Sequence, residues 1–139
     1  MNTQERENLL GILAQKKELL TKMRDVTKQF GTLLEHDEVD AFANGLSERE
    51  DIIKKIDVFT KMERQMPRFE DNQVEGLKNQ SRDIIREILK IDEQNAQLAQ
   101  KKIQQYRVQI KNLNQQKKGI GQYTKAYKKN EAFYFDEKK

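Results

Sequence analysis

The sequence predicts an all-α fold, an elongated antiparallel helical bundle or coiled coil with a long C-terminal helix, and three observations carry that prediction. Apolar residues recur at three- and four-residue steps through most of the chain, the period of a helix face. Helix formers (Lys, Glu, Gln, Leu) dominate, while proline occurs once and glycine six times in 139 residues. Only 35% of the residues are hydrophobic and 36% are charged. So small an apolar share cannot fill a thick core, but it suffices as stripes along two or three thin helices. Disorder is the competing reading of so polar a composition, and the sustained periodicity argues against it.

The first helix is expected over about 3–35. Leu9, Ile12, Leu13, Leu19, Leu20, Met23, Val26, Phe30, Leu33 and Leu34 form a stripe about three positions in seven wide. That width suits a helix packed against two partners rather than a two-stranded zipper. Asn2 is a candidate N-cap with Glu5 at the third helical position. A short segment over 38–44 follows, with Val39 and Phe42 on one side and Gly45 placed to end it. Ser47-Glu48-Arg49-Glu50 then reads as a capping box opening a helix over 48–66, which Pro67 stops. The two pieces could also form one kinked helix.

The third helix is expected over 72–129, with Asn72 as its cap and Glu75 reaching back. Its stripe runs Ile84, Ile88, Ile91, Asn95, Leu98, Ile103, Tyr106, Ile110, Leu113, Ile120 and Tyr127. Up to Leu98 the stripe is aliphatic and often double (Ile84-Ile85, Ile88-Leu89). Beyond Gln100 it narrows and turns aromatic, and twelve Asn/Gln fall between Gln94 and Gln122. At 1.5 Å per residue this helix would reach on the order of 85 Å, against about 50 Å for the first. The first two helical segments therefore cannot cover both ends of the third. A flexible aromatic and basic tail is expected over about 130–139, and the whole is read as one helical domain, 1–139.

Charge is unevenly spread. Residues 37–100 carry ten Lys/Arg against fifteen Asp/Glu, whereas 101–139 carry eleven against three, with no acidic residue from Lys101 to Asn130. With no cysteine there is no disulfide, thiolate nucleophile or zinc knuckle. No apolar run approaches the roughly 20 residues that span a bilayer, and the N-terminus lacks the order of a signal peptide. A reducing cytoplasm is the expected compartment.

No catalytic constellation stands out. His36, the single histidine, has no second His or Cys beside it, so a solvated turn residue is favoured over a metal ligand. Gly119-Ile120-Gly121 follows no strand and lacks the spacing of a phosphate-binding loop. Asp37/Glu38 and Glu70/Asp71 sit beside turns, where capping explains them. No enzyme role, cofactor or metal is supported.

The Ile/Tyr stripe is the candidate site. Ile103, Tyr106, Ile110, Leu113, Ile120, Tyr123 and Tyr127 would receive an amphipathic partner helix, with Lys111, Lys117 and Lys118 flanking it and steering an acidic partner. Left without a partner, the stretch would dimerise, fold back or be mobile. Nucleic acid is disfavoured because only one of the nine cations over 101–130 is arginine, the residue suited to bidentate phosphate contacts. Membrane insertion is disfavoured because Asn and Gln dilute the apolar face.

Residues 83–95, Asp-Ile-Ile-Arg-Glu-Ile-Leu-Lys-Ile-Asp-Glu-Gln-Asn, and 110–123, ending Lys-Lys-Gly-Ile-Gly-Gln-Tyr, follow a leucine-rich first helix and a short acidic one. With the tail Phe133 to Lys139, this arrangement resembles the FlgN-type flagellar export chaperones, whose relatives of the FliT type share the architecture and serve the filament cap. The resemblance implies a cytosolic chaperone for hook–filament junction proteins of the FlgK/FlgL type. Such chaperones hold a helical terminal region of the client, keep it unpolymerised and export-competent, and use no ATP. It also places the client surface on the C-terminal helical region. A generic coiled-coil adaptor and a basic-helix nucleic-acid-binding protein are the alternatives.

Overall fold

A computed structural model describes residues 3–120, with side chains through Lys117. Three α-helices follow one another, α1 (Thr3–Glu35), α2 (Val39–Arg64) and α3 (Asn72–Ile120), and no strand occurs among the described residues. The expected cap Asn2 and the expected helical residues 121–129 lie outside them. The chain divides into two compact units, Met1–Ala99 and Gln100–Lys139.

Within the first unit, side chains that meet across helices define the topology. Lys16 meets Glu63 and Arg49 meets Thr27, so α1 and α2 are antiparallel. Arg6 meets Asp71, Lys17 meets Gln80, Arg24 meets Glu87 and Asn95 meets Thr27, so α1 and α3 are parallel in a steady register. The core is a ladder of three clusters. Leu9, Leu13, Phe69 and Val74 form the first, Leu19, Val26, Phe30 and Ile52 the second, and Leu20, Ile84 and Ile88 the third. Met23 and Ile56 touch both of the last two and join them.

Two local features differ from the sequence expectation. The segments 38–44 and 48–66 form one helix, α2, so Gly45 and Ser47 lie inside it and the capping box is not used. Gly45 is explained by packing: a Cβ there would stand 2.7 Å from Phe30 Cε1, so only glycine lets the Phe30 ring sit against α2. At the start of α3 the cap is Asp71 rather than Asn72. Its Oδ1 accepts from the backbone N–H of Gln73 (2.8 Å) and Val74 (3.3 Å). Its Oδ2 accepts from Arg6 Nε at 2.7 Å, so one carboxylate both starts α3 and ties it to α1.

The Arg6 hydrogen bond, ahead of the backbone N–H groups, holds the Asp71 carboxyl below the usual carboxylate range. A lowered folded-state pKa means stabilisation that is present above the ordinary value and lost as pH falls through the folded one. Wild type and Asp71→Asn should therefore differ in urea midpoint at pH 7, and the gap should close as pH drops below about 4. A gap that is unchanged at low pH would remove Asp71 from this role.

α1 ends in a Schellman turn. Glu38 N–H donates to Leu33 O (3.0 Å) and Asp37 N–H to Leu34 O (3.3 Å), with Asp37 in the left-handed region at φ 56°. A side chain in that conformation costs on the order of 1 kcal/mol.

Candidate protein-binding surface

The second unit begins within α3, and its described part is helical to Ile120. Spacings of three and four residues bring Ile103, Tyr106, Ile110 and Leu113 to one face of this helix. All four are exposed, at 48%, 41%, 43% and 51%. Over about ten residues the stripe is roughly 15 Å long, enough for three turns of a partner helix. Val108, also exposed, falls on the opposite side.

The cations distribute unequally around the stripe. Lys111 is exposed and lies to one side. Lys117, four residues beyond Leu113, continues the stripe instead of flanking it, and it is half-buried. Lys118 and Ile120 lie in the helix with side chains outside the described residues, and Tyr123 and Tyr127 lie outside them altogether. Between Lys101 and Ile120 the helix carries Lys101, Lys102, Arg107, Lys111, Lys117 and Lys118 and no acidic residue. An exposed apolar strip edged by one sign of charge suits an amphipathic helix with acidic flanks.

Other features of the first unit point to structure more than to chemistry. The groups whose pKa moves lie in salt bridges between helices. Arg6 and Arg49 are raised by hydrogen bonds to Asp71 and Asp92, and Glu87 is lowered first by Lys28 and then by Arg24. Among the described residues no group of three or more His, Cys, Asp or Glu could hold a metal, and no helix is long and apolar enough to cross a membrane. A shallow groove of about 650 Å³ opens between α1 and α2, with Gly11, Ile12, Phe59, Met62 and Met66 in its lining.

A model of the flagellar protein FliT family matches residues 17–125, more than three quarters of the chain. The chain belongs to the FliT family. The match runs from the middle of α1 through α2 and all of α3, so it includes the stripe from Ile103 to Ile120. Between the FlgN and FliT types that the sequence resembles, it selects FliT, a family of flagellar export chaperones and not of enzymes. No curated protein matches the chain, and no solved structure does.

Proposed function

We propose that this FliT-family protein binds, in the cytoplasm, a helical terminal region of a hook-associated client and keeps it unpolymerised until export. The FliT type favours the filament-cap protein as the client over the junction proteins of the FlgK/FlgL type. The client helix lies along Ile103, Tyr106, Ile110 and Leu113 and continues over Ile120, Tyr123 and Tyr127. Lys111 and Lys118 attract acidic residues on its flanks, and Lys117 meets one on the stripe itself. The observation that carries this reading is the set of four bulky apolar side chains exposed on one face of a helical stretch, 101–120, without acidic residues.

Leu113→Asp tests it. Leu113 is half exposed, so the melting temperature should stay nearly unchanged. Affinity for the client's helical terminal segment should fall at least roughly tenfold, about 1.4 kcal/mol. Full-strength binding by the folded variant would put the client elsewhere. A variant that unfolds would mean that a second copy or the chain's own aromatic tail already covers the stripe, because a buried, unpaired carboxylate costs several kcal/mol.

A further inference from the structure

The doubled aliphatic pairs of α3 are split by the bundle. Ile84 and Ile88 are buried in the third core cluster, whereas Ile85 is 42% and Leu89 61% exposed. The two exposed residues are four apart and share one face of the helix. Beside Ile85 a cleft of about 210 Å³ opens among the three helices, floored by Leu13 and Leu20 and edged by Lys78 and Arg82.

Charge on the rim of the cleft along α3 is cationic. Three of the acidic residues nearby are already engaged: Glu63 with Lys16, Asp83 with Arg86, and Glu87 with Lys28 and Arg24. Lys78 and Arg82, on the rim of the cleft beside Ile85, form no ion pair with those acids, and the remaining carboxylate of this face, Glu93, lies a turn beyond Leu89, away from the cleft.

We propose that Ile85 and Leu89, with the cleft beside them, form a second docking surface, for an acidic amphipathic helix of another protein. One apolar side chain of that helix enters the cleft over Leu13 and Leu20, a neighbour one turn away packs on Leu89, and its carboxylates meet Lys78 and Arg82. The surface belongs wholly to the first unit and is independent of the stripe at 103–113.

The probe is a fluorescein-labelled synthetic helical peptide of 18 residues, with Leu on one face and Glu on both flanks, and a control with Lys in place of Glu. Because the stripe at 103–113 has similar chemistry, the titration uses the full chain carrying Leu113→Asp. Fluorescence anisotropy should show the Glu peptide binding this chain, with the Lys peptide at least tenfold weaker. Adding Leu89→Glu should weaken the Glu peptide at least tenfold with the melting temperature unchanged, and K78E/R82E should do the same without touching the apolar contact. Absence of binding to the Leu113→Asp chain, binding indifferent to both sets of substitutions, or equal affinity for the Lys peptide would overturn the proposal. Loss of client binding in Leu113→Asp itself reports on the stripe alone, so the two readings fail separately.

Discussion

Arg49→Met is expected to cost about 3 kcal/mol of stability, while the double substitution Arg49→Met/Asp92→Leu should return to within about 1 kcal/mol of the wild type. The reason is a polar node where all three helices meet. Arg49 on α2 donates through Nη1 and Nη2 to both oxygens of Asp92 on α3, the second at 2.8 Å. Its Nη1 also reaches Thr27 Oγ1 on α1 at 3.3 Å. Thr27 is fully buried, its hydroxyl donates to Met23 O, and its own carbonyl accepts from Asn95 Nδ2 at 2.9 Å.

Removing Arg49 alone strips Asp92 of a bidentate charge-assisted partner in a part-buried position, the costly way to break such a pair. Removing both charges leaves apolar groups of similar volume, which lose the attraction and the desolvation cost together. A coupling of about 2 kcal/mol should appear in the double-mutant cycle, read from urea unfolding at constant slope. Additive losses would show that Arg49 and Asp92 act separately. The node gives the bundle more than stability, since Arg49, Thr27, Asp92 and Asn95 meet only when α1 and α3 are parallel in this register, and apolar stripes alone would tolerate a slip.

That register is what the sequence did not disclose. The periodicity of Leu9 to Phe30 and of Ile84 to Ile88 identifies helices and their inward faces, and the buried residues agree. It says nothing about which long side chains pair across helices, because Arg6–Asp71 and Arg49–Asp92 join positions far apart in the chain. Phe69 was equally hidden. It lies between α2 and α3 in no periodic pattern, yet it is buried against Leu9, Leu13 and Val74. Double stripes were ambiguous for a related reason: Ile84-Ile85 shows that one side is buried, but only the position of the neighbouring helices decides which. The stripe from Ile103 to Leu113 was legible because single-face periodicity on a cationic helix persists whether or not a partner is present. Capping signals misled at Ser47, where a box compatible with a helix start was overridden by a continuous helix over Gly45.

Gly45→Ala should destabilise the protein by about 2 kcal/mol, although alanine is the better helix former by about 1 kcal/mol. The added Cβ would lie 2.7 Å from Phe30 Cε1. Phe30 cannot yield easily, since it is buried with Leu19, Val26 and Ile52 and its ring meets Phe42 edge-on at 5.1 Å. Gly11 supplies the control: nothing lies within 4 Å of a Cβ there, so Gly11→Ala should show the propensity gain alone, stabilising by about 1 kcal/mol. The clash has an address, and a second substitution can remove it. Phe30→Leu by itself should cost about 1–2 kcal/mol through lost packing, but in its presence Gly45→Ala should become nearly neutral. Thermal or urea unfolding of the wild type, the two single variants and the double variant measures the coupling. If Gly45→Ala costs the same in the Phe30→Leu background as in the wild type, the penalty arises in the α2 backbone, and glycine at 45 has a cause other than the approach of this ring.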